Sequence, residues 1–524
     1  QSNHTVRFMK LTIPWIFMFL AILVTGIKAQ VNVSGAITGN GSHASLSAAA
    51  VAIGTSQSGA VIQITITGNT TEPATGAVFG AGNWASISIQ PSGGAFKIEG
   101  AVNAGLPLID LNGADNITID GLNSGGNSLT ISNTTVSSTS GTSTIRFQGD
   151  ATNNTIIRCS ILGSSTMATG TNGGNIWFGA AAVSTGNDGN TISTCNIGPA
   201  GSNLPSKCIY FSGSSNTNPG TANSGISITN NNIYDFFSAT ANSAGIDLNS
   251  GTTNITITSN RFYQSNPRTQ TATGLSHRVI SINNTSGVGY TINSNTIGGS
   301  NNTNSGSAYG IVFPTTTTSS FIPIFLNVGT ASATICSFNT IRNLAVSGGA
   351  SGTSTSSPFR LFYIASGLAT TNNNAVGDLS IFGSITYASS STALSEVYGM
   401  YNFSSSSWIS NNNSFGSISG NNSSTGAVGI YVMRCNTAVA STWTCENNTI
   451  GSSDPATGGG INANSTTAAT FVNGITNTLS TASIKGNTIR KLYANGGTGS
   501  AATASVIGIS VTGTGSAHTV SQNF

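Results

Sequence analysis

Apolar residues along this chain come in short pulses separated by Gly, Ser, Thr and Asn, and two kinds of pulse alternate. The first is fullest in Asn190-Thr191-Ile192-Ser193-Thr194-Cys195-Asn196-Ile197-Gly198 and in Asn154-Thr155-Ile156-Ile157-Arg158-Cys159-Ser160-Ile161. Its second half returns at Ile228–Ile233, Ile257–Phe262 and Ile292–Ile297, then around Asn339, Asn413, Asn448 and Asn487. The second is an apolar-x-apolar triplet, at Ile145–Phe147, Ile176–Phe178, Ile209–Phe211, Ile246–Leu248, Ile280–Ile282, Ile311–Phe313, Ile430–Val432 and Ile507–Ile509. Copies recur at about 36 residues, a period that marks a stacked repeat. Strands this short cannot bury a core singly. Coiled so that each pairs in parallel with its equivalent one turn on, they enclose a continuous column of Ile, Phe and Leu. The pattern predicts an all-β chain, a parallel β-helix of about ten or twelve coils and roughly 50 to 60 Å at ~4.8 Å per coil.

The periodicity changes at the N-terminal end. Ser45–Ile53 is Ala-rich and places Leu46, Ala49, Ala50 and Ile53 on one helical face, so a short helix is expected to cover the open end of the first coil. Val61–Ile66 and Ala85–Ile89 alternate as half-buried strands do. From Leu108 to Gly121 the coil rhythm sets in. The recurring Asn suits a corner between sheets, where it is expected to take the left-handed dihedrals of the turn while its amide bonds to backbone or to the Asn of the next coil. Between about Thr315 and Ser395 the pattern is less regular, and loops or an inserted hairpin are expected to bulge there. Three segments follow: 1–29, upstream residues and signal peptide; 30–104, cap helix and first strands; 105–524, β-helix.

Charge changes the picture chiefly by its scarcity. Charged residues are 6% of the chain, against roughly 25% in ordinary globular proteins. A net charge of +3 over 524 residues makes no basic patch, so nucleic acid and anionic membrane surfaces are poor partners. After Met9 and Lys10, the apolar run Leu11–Val24 followed by Thr25–Ala29 has the layout of a secretory signal peptide with cleavage after Ala29, leaving no membrane span. Val520–Phe524 begins another copy of the organising motif and stops inside it, so a longer protein is expected.

Export fits the cysteines without requiring disulfides. Cys159 and Cys195 occupy the same place in successive repeats, where a buried thiol ladder competes with a bridge. Cys435 and Cys445 flank a polar loop and form the better disulfide candidate. Metal-ligand spacing is absent, and His4, His43, His277 and His518 are scattered. The acids Asp150, Asp188, Asp235, Asp247 and Asp378 fall in different coils, and Asp110, Asp115 and Asp120 fit turn and corner chemistry better than a calcium loop. Nothing in these residues implies a catalytic group or a cofactor.

At this point the chain resembles the right-handed parallel β-helix proteins of the pectin-lyase-like superfamily, and more closely the long Ser/Thr/Asn-rich surface proteins that gliding-type bacteria export through the type IX pathway. The resemblance rests on Lys28-Ala29-Gln30, the helix at Ser45–Ile53, the phrase Asn112-Gly113-Ala114-Asp115-Asn116-Ile117-Thr118-Ile119-Asp120-Gly121 and the Asn-Thr-Ile coils. It implies a right-handed helix and a secreted or cell-surface location outside the bacterial outer membrane. The sorting domain such proteins carry is not visible before Phe524.

The triplets also point to a surface. Their middle residues should face outward and stack as Arg146, Trp177, Tyr210, Asp247 and Ser281, with Tyr431 further along, a stripe suited to stacking on sugar rings. The competing reading is that these rings shield the sheet and one another. The function expected is a structural or adhesive rod, its partners glycans or other surface proteins. The alternative, a polysaccharide lyase or hydrolase, needs carboxylates converging on one groove.

Overall fold

A computed structural model describes residues 29–180, 185–213, 219–436, 441–452, 459–478, 481–496, 506–513 and 517–524. The apolar leader expected before Ala29 lies outside these. The rest winds into a parallel β-helix whose three faces are sheets of sixteen, thirteen and thirteen strands. Equivalent strands pair one coil on: Ile156 is the register partner of Ile192, and Ile192 of Ile228. These isoleucines are fully buried, and beside them Phe147, Phe178 and Phe211 stack at 4.3 Å per step.

The N-terminal cap has two parts. Helix Leu46–Ile53 buries Leu46, Ala49, Ala50 and Ile53, with the Ser45 hydroxyl accepting the Ala48 N–H. It packs on Ala77–Gly80, the first strand of the third sheet. Val31–Ser34 closes the first sheet by antiparallel pairing with Val61–Ile66 on one side and Gly41–His43 on the other. The sheet edge, open to pairing by another chain, is thereby turned into a hairpin.

One corner is governed by an asparagine ladder. Asn231, Asn260, Asn295, Asn339, Asn374, Asn413, Asn448, Asn487 and Asn523 stand one above another, each of the first eight sending its backbone N–H and its side-chain amide to the Oδ1 of the next. The left-handed backbone belongs to the residue before the ladder: Asn230, Ser259, Ser294, Phe338, Asn373, Asn412 and Asn447 have φ of 55 to 59°, and Gly486 takes the same seat at 67°. In the two preceding coils Cys159 and Cys195 occupy the ladder place, and Asn231 Oδ1 accepts the Cys195 N–H.

The middle of the chain corrects the expectation of an inserted hairpin. The coils continue and gain a fourth side, a seven-stranded parallel sheet from Arg268–Thr269 to Leu492–Asn495. Ile311–Phe313, read as a third-sheet triplet, belongs to this sheet within Tyr309–Thr317; the third-sheet strand of that coil is Ser320–Asn327. The new side begins at an ion pair, with Arg268 donating to Asp235 at 2.7 Å and to Gln264 at 3.0 Å.

Candidate functional site

The outer face of the third sheet gathers the charged and aromatic side chains. Strand alternation turns each triplet's middle residue away from the core. Backbone register stacks these as Asp110, Arg146, Trp177, Tyr210, Asp247, Ser281, Phe325, Tyr363, Tyr401 and Arg434. A neighbouring column, three residues earlier on its strands, holds Lys207, Arg278 and Ile322, then Arg360, Tyr398 and Tyr431.

Cations sit on rings throughout. The Lys207 ammonium lies 3.8 Å from the Tyr210 ring centroid and the Arg278 guanidinium 3.7 Å from that of Phe325. Arg360 lies over Tyr363 at 4.5 Å and Arg434 over Tyr431 at 4.4 Å. Such contacts strengthen when desolvated, and here they are. Burial holds the Lys207 amine down to about 8, against the pull of Asp247. Burial also pushes the Asp247 carboxyl up, although Lys207 and Arg278 oppose it. Arg360 is held down to about 10 by burial and donates to the Thr355 carbonyl.

A loop closes over part of this face. The Ser354 N–H donates to Glu396 Oε2 at 2.8 Å and to the Tyr398 hydroxyl at 3.1 Å, while its own hydroxyl meets that of Tyr401 at 2.6 Å. The Tyr398 hydroxyl donates to the same Glu396 oxygen.

The expected stripe is therefore present in order but not as an open platform. Trp177 is 7% exposed, and Tyr210 and Asp247 are 2% exposed; Trp177 spends its indole N–H on the Ser212 hydroxyl. Arg146 is half-buried and grips Asp110 with two hydrogen bonds of 2.8 and 2.6 Å. Tyr431 is half-buried and stands in the neighbouring column, because the triplet in register is Met433-Arg434-Cys435, three residues on from Ile430–Val432.

The carboxylates are spent on holding coils together. Asp120 pairs with Arg158. Asp115 accepts the Thr152 N–H, Asp150 the Gly186 N–H and Asp188 the Ser224 N–H. Among the described residues no three of His, Cys, Asp and Glu gather closely enough to hold a metal ion.

The six cysteines are buried thiols, so the bridge expected between Cys435 and Cys445 is not formed. Both side chains face the core, where Cys445 is pushed well up by burial and Cys435 accepts from Asn402 Nδ2 at 3.8 Å. At Cys159 and Cys195 the thiols instead reach the carbonyls of Ile157 and Ser193, at 3.3 and 3.2 Å. Burial raises Cys195 to about 12.

Sequence reasoning passed over His277 as one of four scattered histidines. It is fully buried among Phe236, Phe237, Tyr309 and Phe321. Nδ1 meets the Ser243 hydroxyl and Nε2 the Tyr309 hydroxyl, each at 2.7 Å. Burial, with Arg268 nearby, lowers its pKa to about 3.

No family model matches the chain, and no curated protein matches it. Among solved structures it is similar to the crystal structure of PfbA, a surface adhesin of Streptococcus pneumoniae, at 12% identity over 72% of this chain and 83% of that one, with a TM-score of 0.25. So loose a likeness carries no inference about role. No described helix is long and apolar enough to cross a membrane.

Proposed function

We propose that this chain is a rigid secreted or cell-surface rod that serves in adhesion and meets glycans through exposed side chains rather than cleaving them. One observation supports the reading above others. Three close ion pairs among the described residues join consecutive coils: Arg146 with Asp110, Arg158 with Asp120 and Arg268 with Asp235. Acids used as coil-to-coil stitches are not free to converge on one glycosidic bond, which a hydrolase requires of two carboxyl groups. A stiff body projects its surface away from an anchor, and weak contacts repeated along it add through multivalency.

The test is incubation of the purified chain with neutral and acidic polysaccharides, followed both for retention on the immobilised polymer and for new reducing ends or unsaturated products. Retention without product is expected. Turnover would replace the adhesive reading with the lyase or hydrolase one.

A further inference from the structure

The corner where the second sheet passes into the fourth changes length from coil to coil. It takes eleven residues in one coil (298–308), only Arg342 and Asn343 in the next, and seven in the third (378–384). In the coil after these it is Ser417 alone. The short corner is recessed between two longer loops, leaving a notch of about 350 Å³ lined by Asn304, Arg342, Asn343, Asp378, Ile381 and Phe382.

Its walls are fixed. Asn304 Nδ2 donates to the Gly298 carbonyl at 2.8 Å and to that of Phe262 at 3.0 Å, and Asn343 Nδ2 reaches across to the Gly306 carbonyl at 3.2 Å. The lining is not fully engaged. Phe382 is 69% exposed and Ile381 57%, on a turn with no core behind it. The Arg342 guanidinium and the Asp378 carboxylate stand 4.0 Å apart, at the outer limit of an ion pair. Asp378 Oδ1 accepts the Ser380 N–H at 2.8 Å and its hydroxyl at 2.6 Å, which leaves Oδ2 toward Arg342. Burial pushes this carboxyl up, but the bonds from Ser380 and Ile381 and the charge of Arg342 outweigh it, so it stays ionised below the ordinary carboxylate value.

An exposed ring beside a separated donor and acceptor asks for a ligand with one apolar face and adjacent hydroxyls. We infer that the notch binds a neutral pyranose at the end of a glycan, its C–H face on Phe382 and two vicinal hydroxyls bridging Arg342 and Asp378. One hydroxyl accepts from the guanidinium and its neighbour donates to the carboxylate, closing the gap that the two side chains leave. Arg342 and Asp378 cancel in charge, so a neutral sugar fits where an acidic one would bring a second anion against Asp378. The volume matches the lower end of small-ligand sites, which run from roughly 300 Å³ upward. The inference rests on the adhesive reading above and gives it a place on the molecule.

An array of neutral and sialylated glycans, probed with the chain and with Phe382→Ala, Phe382→Tyr and Arg342→Gln, tests it. All three changes lie on exposed or half-exposed side chains, and matched thermal melts establish that each variant folds. Neutral glycans should bind, Phe382→Ala and Arg342→Gln should each weaken binding by about tenfold or more, and Phe382→Tyr should retain it. Binding that both weakening variants leave unchanged overturns the notch while sparing the adhesive reading. Silence across the array overturns both. A response to sialylated glycans alone overturns the neutral-pyranose assignment.

Discussion

Asn374 holds Asn339 twice: its side-chain oxygen accepts both the backbone N–H and the side-chain amide of Asn339, each at 3.0 Å. The amide of Asn339 also donates to the buried Ile292 carbonyl at 2.9 Å. Truncation to Asn339→Ala takes that amide from the Ile292 carbonyl and leaves the buried Asn295 backbone N–H without the oxygen that accepts it. A loss of about 3 kcal/mol is expected, because an orphaned buried group costs ~1 to 3 kcal/mol. Asn339→Asp should do worse, since a carboxylate only accepts and would face two further acceptors. Urea midpoints of the three proteins check the order.

The Arg146 and Asp110 pair is a second stitch whose partners differ in exposure, 15% for the arginine side chain and 5% for the aspartate. Arg146→Ala strands a buried carboxylate and should cost about 2 to 3 kcal/mol. Adding Asp110→Asn should recover part of that loss. A double-mutant cycle on thermal or urea unfolding reads the coupling, and additivity would show that the two bonds contribute nothing together.

His277 makes the rod acid-sensitive. The folded state keeps the imidazole neutral down to about pH 3, whereas the unfolded chain protonates it near 6.5. Below pH 6.5 the unfolded state therefore binds the extra proton and stability falls, by about 2 kcal/mol between pH 6.5 and 5 at ~1.36 kcal/mol per unit. His277→Phe loses the bonds to Ser243 and Tyr309, yet its unfolding midpoint should change less between pH 7 and pH 5 than that of the parent. Equal changes in the two proteins would clear the histidine of this role.

Tyr210 should matter for stability rather than for sugar. It is 2% exposed and carries the Lys207 ammonium on its ring. Tyr210→Ala is expected to cost about 3 to 5 kcal/mol and to leave glycan-array signals unchanged wherever the variant remains folded. Trp177→Ala should behave alike, with the Ser212 hydroxyl losing its donor.

Thiol counting separates bridged from unbridged cysteines. Burial protects all six, so Ellman's reagent should find none in the native chain and six after unfolding in urea without reductant. A Cys435–Cys445 disulfide would remove two and lower the unfolded count to four.

Coil architecture was legible because core positions obey one rule, apolar residues inward at every turn. Ile156, Ile192 and Ile228 need only be equivalent in pattern to become neighbours in space. The fourth sheet was not legible, since Ile311-Val312-Phe313 obeys the same rule on a different face. Phe321–Leu326 hid its strand for the opposite reason: Ile322 and Phe325 are buried on the outer side as well, so no alternation survives. Burial along the Trp177 column was not legible because each ring is covered by a different neighbour: Ser212 takes the Trp177 indole N–H, Lys207 lies on Tyr210, and the loop at Ser354 meets Tyr401. The notch was beyond reach of motif reading: it exists only because loops of unequal length stack beside each other, a difference that no single coil displays.

Between successive ladder asparagines the chain runs as few as 29 residues and as many as 44. Each passage nevertheless arrives at the same pair of bonds, so any excess or shortfall in a loop is cancelled before the next turn begins. The amide column works as a once-per-revolution index mark: errors of alignment are wiped rather than carried forward. Lengthening a corner loop costs only slowly more with size, which frees the periphery to diversify while the spindle inside keeps its pitch.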